Sequence, residues 1–338
     1  MKKNDEFRIL GRRPGNEDSI RFEYQGVAFD QDCFHVVAGL NAVDTREFAE
    51  RTFKALNSAG QVCARMGAYK PRTSPYSFQG YGKQCLPYVF ELAGRYGVRV
   101  VAMEVTRDEH LDEIREALRQ TGDATGVMLQ IGTRNTQNFE LLKTVGSQRD
   151  FPILLKRGFG ITLHESLLAA EYVAAAGNRD IVFCLRGMKT HFGDPHRNLV
   201  DFAHVPVVKR LTRMPVCVDP SHSVGVRAVA PDGLQDIFHA AVQGVIAGAN
   251  LILTDIHPEP RKALVDAGQA LTLEEFPALL EDCAIAREAY EKRRARRGLR
   301  RWTTCVHLCS SVVFSLFGSP RPPPRQFRCR MTSAARSS

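Results

Sequence analysis

The chain has 338 residues, of which 44% are hydrophobic and 25% are charged, as is ordinary for a soluble globular protein with one large domain or two small ones. Its formal charge of +9 comes from the C-terminal end: Lys292 and eleven arginines follow without an acid, and residues 1–291 hold 34 basic against 37 acidic residues. The body has no basic stripe interleaved with aromatic residues, which argues against specific nucleic-acid binding.

The sequence also argues against a membrane or secreted protein. Its longest apolar run, residues 305–317, is interrupted by polar residues and is shorter than the roughly 20 residues that a bilayer requires. The N-terminus leads into polar chain without the apolar segment of a signal peptide. We therefore expect a cytoplasmic protein.

Eight short, nearly continuous apolar runs alternate with longer helix-like stretches along the chain. Such runs are typical of parallel strands that are covered on both faces. In chain order, the predicted strands are 35–39, 61–65, 98–103, 126–131, 152–156, 181–185, 215–219 and 250–255. The predicted helices include 45–58, 108–121, 138–145, 162–176, 231–247 and 273–295.

Eight such units in about 260 residues predict an α/β fold, a closed (β/α)8 TIM barrel, with a doubly wound open sheet as the alternative. We assign residues 34–297 to this catalytic barrel. Residues 1–33 are predicted to be a short N-terminal extension, in which 22–29 form a hairpin that closes the barrel bottom. Residues 298–338 have neither helical nor strand periodicity and are expected to form a disordered basic tail without a catalytic role.

Polar residues stand at the ends of all eight predicted strands, where the chemistry of such barrels gathers. In strand order they are Asn41, Arg65, Glu104, Arg134, Lys156, Arg186, Asp219 with His222, and Asp255 with His257. Five cations in one mouth would repel each other without anionic ligands, so a substrate with both phosphate and carboxylate is implied. These five cations are Arg65, Lys70, Arg134, Lys156 and Arg186.

A proline-rich loop, KPRTSPYSFQG at residues 70–80, follows the second strand. Its two prolines fix φ and exclude helix from the residues before them, so the chain is held extended. The loop then presents the Lys70 ammonium, the Arg72 guanidinium and the hydroxyls of Thr73 and Ser74 together, which suits a phosphate dianion. We predict that it is a phosphate clamp.

Several motifs together resemble the 3-deoxy-D-arabino-heptulosonate 7-phosphate (DAHP) synthases, in the compact form related to 3-deoxy-D-manno-octulosonate 8-phosphate synthase. They are the loop at 70–80, QIGTRN at 130–135, LLKRG at 154–158, VDPSHS at 218–223 and HPEP at 257–260. The resemblance runs from about residue 34 to about residue 273. It implies condensation of phosphoenolpyruvate with erythrose 4-phosphate, with release of phosphate, as the first step of the shikimate pathway. We also expect a homo-oligomer, a dimer or a tetramer.

The resemblance assigns roles to residues of the mouth. The phosphoenolpyruvate-binding positions are Arg65, Lys70, Arg134 with the adjacent Thr133, Lys156 and Arg186. The positions for the aldose phosphate are Arg72, Thr73 and Ser74. Glu104 is similar to the carboxylate that orients Lys70 and a water. Leu185 stands where the family usually has an acid, which removes a partner of the Arg186 guanidinium.

Lys70 and Lys156 are the expected proton carriers of the reaction. A lysine crowded by other cations titrates at lower pH than one in water, and proton transfer is most effective when the pKa lies near the working pH. Together with Glu104, His222 and Asn41 they form the predicted catalytic set.

The predicted metal site departs from the family pattern. Metal-dependent members use a cysteine thiolate, a histidine, a glutamate and an aspartate; here Asn41 replaces the cysteine and Asp255 the glutamate, while His222 and Asp266 match. We expect no metal, or weakly bound Mn²⁺ or Mg²⁺, because an amide oxygen lacks the charge of a thiolate. Asn41 would then donate a hydrogen bond to the aldose, while His222 and Asp255 position the attacking water. Alternatively, Asn41 only caps the helix that begins near residue 45, and the site is inactive.

Two other functions stay open. The chain could use phosphoenolpyruvate with another aldose phosphate or an amino sugar in a specialised pathway, although the Lys-Pro-Arg-Thr clamp favours a four-carbon phosphate. It could also be a non-catalytic homologue that binds a partner synthase or mutase. Five unpaired cations argue against this second alternative, because a site kept only for its shape does not require them.

Overall fold

The structure, a computed structural model, describes residues 6–296. Its first regular element is an antiparallel hairpin of β1 (Phe22–Tyr24) and β2 (Val27–Phe29). The Tyr24 hydroxyl accepts a hydrogen bond from the backbone N–H of Val127, at 3.1 Å, near the start of a barrel strand. The hairpin therefore lies at the N-terminal end of the barrel, and its prediction over residues 22–29 is confirmed.

The centre of the fold is a closed barrel of eight parallel strands, in which the last strand pairs with the first. These strands are β3 (His35–Leu40), β4 (Cys63–Met66), β5 (Val100–Val105), β6 (Gly126–Ile131), β7 (Ile153–Lys156), β8 (Ile181–Leu185), β9 (Val216–Val218) and β10 (Leu251–Asp255). All eight predicted strands are confirmed. Because β10 pairs with both β3 and β9, the alternative of an open sheet is wrong.

The helices cover the outside of the barrel. Within residues 6–296 they are α1 (Arg46–Ser58), α2 (Leu86–Arg95), α3 (Glu109–Gln120), α4 (Phe139–Ser147), α5 (Leu163–Ala176), α6 (Val205–Leu211), α7 (Pro220–Val224), α8 (Asp236–Ile246) and α9 (Phe276–Ala295). The six predicted helices are confirmed. The start of α8 differs most from its prediction, because the backbone N–H of Ala230 donates to the Leu234 carbonyl at 2.8 Å in a turn that precedes the helix.

Two of the helices without a prediction show why sequence patterns missed them. Helix α2 contains Pro87, which reads as a helix breaker but lies in the first turn, where no backbone N–H partner is lost. Helix α6 is rich in valine and has only seven residues, so its composition resembles that of a strand. Packing against the barrel decides both elements.

Near the C-terminal end of β3, the neighbouring strand lies so close that residue 39 must be glycine. The φ of Gly39 is 151°, and a Cβ atom there would collide with the carbonyl oxygen of Arg65 on the neighbouring strand. Glycine therefore allows β3 and β4 to pair beside the mouth. The side chains that follow these strand ends converge on one opening.

None of the helices within residues 6–296 is both long enough and apolar enough to cross a membrane. The tail predicted over residues 298–338 lies outside the described residues. The proposed division at residues 33 and 297 stays a prediction.

Candidate active site

A cavity of about 260 Å³ opens at the C-terminal end of the barrel strands. Every residue that was predicted to bind substrate lines it: Arg65, Lys70, Arg72, Thr73, Ser74, Thr133, Arg134, Lys156 and Arg186. Glu104, His222 and Asp266 line the same cavity. Asn41 and Asp255 are buried beside it and both contact Arg65. The barrel thus brings together residues that are far apart in the sequence.

Lys156, the last residue of β7, forms a buried ion pair with Asp219 at the cavity floor. Its Nζ donates to Asp219 Oδ2 at 2.6 Å, and both side chains are at most 4% exposed. Burial by itself raises the pKa of the Asp219 carboxyl, but His222 and Lys156 hold that pKa well below its usual value. Asp219 is therefore an ionised anchor for both neighbours.

His222 is held in one tautomer by the same carboxylate. Its Nδ1 lies 3.1 Å from Asp219 Oδ1, and because a carboxylate accepts, Nδ1 carries the proton and Nε2 presents a lone pair. Burial lowers the pKa of His222 to about 4, although Asp219 acts in the opposite direction, so the ring is neutral at pH 7. Nε2 lies 3.8 Å from Asp266 Oδ2. The arrangement offers an acceptor to a water at the edge of the cavity.

Asn41 connects two of the predicted cations. Its Oδ1 accepts from Arg65 Nη2 at 2.7 Å and from Lys70 Nζ at 2.5 Å, while its Nδ2 donates to Asp266. The following helix α1 is capped by Thr45, whose hydroxyl accepts a backbone N–H of the first turn at 3.0 Å. The alternative in which Asn41 only caps this helix is therefore wrong.

Lys70 has an unusual protonation equilibrium. Burial lowers its pKa to about 8; Glu104 opposes this shift, and Arg65 adds to it. Crowding by a cation thus acts in the expected direction, but burial has the larger effect. The Nζ is hydrogen-bonded to Asn41. Glu104, which was expected to orient Lys70, accepts a hydrogen bond from Gln130 Nε2 at 3.3 Å and none from Lys70 within residues 6–296.

The expectation of five unpaired cations is wrong for two of them, because Arg65 pairs with Asp255 and Lys156 with Asp219. Arg186 is different. It is 1% exposed, and its Nε and Nη1 have no hydrogen-bond partner within residues 6–296. An unsatisfied buried donor carries a large desolvation cost, and a charged one carries more. This guanidinium is suited to an anionic ligand.

The ring of Phe159 lies close to three cations of the mouth. Its centroid is 5.1 Å from Arg134 Cζ, 4.9 Å from Arg186 Cζ and 5.7 Å from Lys189 Nζ. Cation–π attraction at these distances stabilises the cations near one another. Sequence reasoning missed Phe159, because a single phenylalanine in a loop gives no signal of such a role.

The loop that carries Arg72, Thr73 and Ser74 is more exposed than the floor. Thr73 Oγ1 accepts from Arg134 Nη2 at 3.1 Å, whereas Arg72 forms no hydrogen bond or ion pair with the described residues. Tyr76 at the tip of the loop is 97% exposed. The predicted clamp is thus positioned at the mouth with its main cation available.

Further residues complete the mouth although no role was predicted for them. Arg197 donates from Nη1 to Asp266 Oδ1 at 3.1 Å and to Gln269 Oε1 at 2.8 Å. Gln269 in turn donates to Asp255 Oδ2 at 2.6 Å. Arg197 and Gln269 lie outside the quoted motifs, and only the fold brings them to the mouth. Asp219, in contrast, ends a predicted strand, which is a usable signal.

His257, which lies two residues after the eighth predicted strand, contacts Asp44 and not the residues that line the cavity. Its Nε2 lies 2.7 Å from Asp44 Oδ2, and its Nδ1 accepts the backbone N–H of Glu259 at 2.9 Å. Both ring nitrogens are thereby occupied. The HPEP motif supports the loop after β10, and His257 is not among the residues that line the cavity.

A (β/α)8 barrel whose mouth combines buried lysines and arginines with ionised carboxylates defines an enzyme for small anionic substrates. The family model described as the DAHP synthetase I family matches residues 19–289 of this chain. The chain belongs to the DAHP synthetase I family.

Similar proteins agree with this assignment. The phospho-2-dehydro-3-deoxyheptonate aldolase of Thermotoga maritima is 39% identical over 276 residues, which cover 82% of this chain and 76% of that protein. A 2-dehydro-3-deoxyphosphooctonate aldolase of Acidithiobacillus ferrooxidans is 28% identical over 263 residues, 74% of this chain and 88% of that protein. The crystal structure of the DAHP synthase from Thermotoga maritima matches with a TM-score of 0.72 at 36% identity, over 86% of this chain and 77% of that one. The structure of a truncated form of the Thermotoga maritima enzyme matches with a TM-score of 0.70 at 33% identity, over 87% of this chain and 98% of that one.

Four residues occupy the positions at which the family resemblance implies a divalent metal: Asn41, His222, Asp255 and Asp266. Both carboxylate oxygens of Asp255 already accept hydrogen bonds, one from Arg65 and the other from Gln269. The Asn41 amide oxygen accepts from Arg65 and from a lysine. Because Arg65, Lys70 and the Gln269 amide hold these oxygens and the thiolate charge is missing, the four residues do not fit a divalent ion. Among residues 6–296, no three or more His, Cys, Asp or Glu side chains are grouped to hold one.

Proposed function

We propose that this chain condenses phosphoenolpyruvate with erythrose 4-phosphate to give DAHP and phosphate, at the mouth of its barrel. Membership of the DAHP synthetase I family supports this reaction. The observation that carries the proposal is Arg186, a buried guanidinium with two nitrogens that have no partner in residues 6–296. It lies on the cavity that Lys156 and Arg134 also line. These cations supply the charge and the donors that the carboxylate and phosphate of phosphoenolpyruvate require.

The second substrate binds on the exposed side of the cavity. Arg72 has no partner among the described residues, and the hydroxyls of Thr73 and Ser74 stand beside it on the same loop. A guanidinium and two hydroxyls hold the terminal phosphate of the aldose. The aldehyde at the other end of the aldose then points toward the floor, where phosphoenolpyruvate is bound.

The chain provides proton carriers for the bond-forming step. C3 of phosphoenolpyruvate attacks the aldehyde carbon, and the former aldehyde oxygen gains a proton. Water adds its OH to C2 and gives its other proton to His222. The C2 hydroxyl then loses its proton as the bond between C2 and the phosphate oxygen breaks, which leaves a ketone and free phosphate. Lys70, which is protonated below about pH 8, donates the proton to the former aldehyde oxygen, and Lys156 carries the proton from the C2 hydroxyl to the departing phosphate. Fixed charges that already surround the reacting atoms need not reorganise during the step.

Water is positioned by His222 in this proposal. Asp255 was expected to share this task, but Arg65 and Gln269 occupy both of its oxygens. The lone pair of His222 Nε2, with Asp266 beside it, is the available acceptor. Glu104 lies at the same cavity, where a Cβ atom on residue 132 would collide with its carboxylate, so Gly132 makes room for it.

Asn41 acts through its neighbours in this proposal. Its amide nitrogen donates one of its two hydrogens to Asp266, and the hydrogen bond to the aldose that was expected from the sequence stays a prediction for the other. Its amide oxygen holds the heads of Arg65 and Lys70 together. No step requires a divalent ion, and we propose that metal binding is weak or absent.

The test is an assay of phosphate release from phosphoenolpyruvate with a panel of aldose phosphates. We expect turnover with erythrose 4-phosphate and much slower turnover with a five-carbon aldose phosphate. The five-carbon substrate is included because the chain is also similar to 2-dehydro-3-deoxyphosphooctonate aldolases. Arg186→Gln should weaken phosphoenolpyruvate binding in calorimetric titration. Binding of phosphoenolpyruvate without phosphate release for every aldose would favour the non-catalytic alternative.

A dimeric or tetrameric assembly and a cytoplasmic location stay predictions from the sequence.

A further inference from the structure

A buried ion pair lies behind the phosphoenolpyruvate side of the mouth, outside the cavity lining. Arg157 Nη1 donates to Asp201 Oδ2 at 2.7 Å, and the two side chains are 2% and 1% exposed. The other oxygen, Asp201 Oδ1, accepts the backbone N–H of Gly187 at 2.9 Å. Both partners of Asp201 therefore directly follow a cation of the mouth: Arg157 follows Lys156, and Gly187 follows Arg186.

The same pair also reaches a third strand end. The Arg157 carbonyl accepts a hydrogen bond from the Thr133 hydroxyl at 2.7 Å, so this hydroxyl serves the protein in addition to lining the cavity. Arg157 Nη1 also lies 3.0 Å from His204 Nδ1. The residues that follow β6, β7 and β8 are thus connected through Arg157, by its backbone carbonyl and its guanidinium, and through the Asp201 carboxylate.

Stability alone does not account for such a pair. Two buried charges lose their hydration, and well-packed apolar side chains of similar volume are often as stabilising as a buried ion pair. What apolar side chains cannot reproduce is directional contact. The Asp201 carboxylate fixes the distance between the residues after β7 and β8, and Lys156 and Arg186 stand one residue before those contacts.

We infer that Arg157 and Asp201 are positioning residues that set the spacing of Lys156 and Arg186 for phosphoenolpyruvate. The inference rests on the proposed function, because it concerns the substrate assigned to those two cations. Neither residue touches the substrate. Without the pair, the ends of β7 and β8 are free to shift, and a displacement of about 1 Å costs up to roughly 100-fold in the efficiency of a preorganised site.

The test separates positioning from stability with a double variant, Arg157→Met with Asp201→Leu. Each single change leaves one buried charge without its partner and should lower the melting temperature, whereas the double change removes both charges and should restore most of it. We expect the KM for phosphoenolpyruvate to rise roughly 10- to 100-fold in the double variant despite this recovery. The KM for erythrose 4-phosphate should stay unchanged, because Arg72 and its neighbours lie on another loop.

Asn250 provides a matched control at the opposite end of the barrel. It is buried and also links strand ends: Oδ1 accepts the backbone N–H of Val216 at 3.1 Å, and Nδ2 donates to the Cys33 carbonyl at 3.1 Å. Asn250→Ala should lower the melting temperature without changing either KM. This result would show that a lower melting temperature does not by itself change the KM for either substrate.

Asp201→Asn is the second variant, in case the double variant does not fold. It keeps the shape and an oxygen for Gly187 but removes the charge that holds Arg157, so we expect calorimetric Kd values for phosphoenolpyruvate about fivefold higher. Wild-type Kd and KM values in either folded variant would overturn the positioning role and leave the proposed function intact. Failure of the wild-type chain to bind phosphoenolpyruvate would instead overturn the proposed function.

Discussion

The floor of the mouth and the loop at its edge hold their cations in opposite ways. On the floor, Lys156 is 3% exposed and paired with Asp219, and Arg186 is 1% exposed with its orientation supported by Phe159. At the edge, Arg72 is partly exposed and has no hydrogen-bond or ion-pair partner among the described residues. The protein's own side chains therefore position the cations of the floor, whereas Arg72 on the loop keeps its donors for a ligand.

This difference follows from the cost of burying charge. A lysine or arginine inside a barrel loses its hydration, so the protein supplies carboxylates for Lys156 and Arg65. Arg186 keeps two nitrogens without a partner among the described residues, and these are left for an anionic ligand. An arginine at the edge keeps much of its hydration and needs no such partner. The floor is therefore suited to stabilise developing charge, and the loop is suited to select the second substrate.

The largest effect should come from breaking the floor at Lys156. We expect Lys156→Ala to lower phosphate release by roughly 10²- to 10⁴-fold, the range for removal of an acid–base group. It should also lower the free energy of unfolding by about 3–5 kcal/mol, because Asp219 loses a buried partner. Thermal unfolding and the phosphate assay measure the two effects. Lys143→Ala, which breaks an exposed pair with Glu140, is the control; wild-type release by Lys156→Ala would remove Lys156 from the mechanism.

Truncating the loop cation should have a smaller and selective effect. Arg72→Ala is expected to weaken binding of erythrose 4-phosphate by about 2 kcal/mol, roughly 30-fold, at the low end for truncated charge pairs because Arg72 stays partly hydrated. The KM for phosphoenolpyruvate and the melting temperature should change little. Steady-state kinetics with each substrate varied in turn gives the comparison, and Arg95→Ala on the exposed side of α2 is the control. Equal losses for both substrates would show that the loop and the floor are not separate sites.

The protonation of Lys70, between the two regions, should appear in the pH profile. Since its pKa is about 8 and the protonated form donates, kcat/KM should fall about tenfold by pH 9 relative to its plateau. Lys70→Arg, although slower, should lack this fall because a guanidinium keeps its proton. A profile that is identical in both proteins would exclude Lys70 as its source.

The lowered pKa of Lys70 also predicts how the free energy of unfolding changes with pH. Its pKa is lowered from 10.5 on folding, so between about pH 8 and 10.5 the unfolded chain binds more protons than the folded one. The contribution of Lys70 to the free energy of unfolding therefore increases with pH over this window. Chemical denaturation of wild type and Lys70→Met across the window measures it, and a difference that does not grow with pH would contradict the shift.

The smallest expected effect is that of metal removal. Chelation, checked by elemental analysis, should change phosphate release by less than about twofold, because Arg65, Lys70 and Gln269 hold the oxygens of Asn41 and Asp255. Adding Mn²⁺, Mg²⁺ or Zn²⁺ back should restore nothing further. Asn41→Cys should bind a divalent ion more tightly than the wild-type chain. Complete loss on stripping with full recovery from one ion would show that the floor depends on a metal.

Much of the fold was accessible from the sequence because parallel barrel strands are apolar on both faces and end at one rim. The eight runs and the polar residue after each of them follow directly from that rule, so Lys156 and Arg186 could be placed at the mouth before the structure was known. Helix α6 could not be predicted, since its valine-rich segment resembles a strand. Arg197 and Gln269 could not be found either, because they come from long loops that carry no periodic pattern.

By itself, the sequence determined the barrel, its chemical family and the set of cations at the mouth, since these depend on local apolar patterns and on short motifs. Only the tertiary structure decided which cations are paired. Asp219 neutralises Lys156, Asp255 neutralises Arg65, and Asn41 joins Arg65 to Lys70. Arg186 keeps two nitrogens without a partner in the part of the chain that the structure describes. The reason is physical: the charge state and freedom of a buried group depend on which atoms lie within a few ångströms, and in a closed barrel those atoms come from strands far apart in the chain.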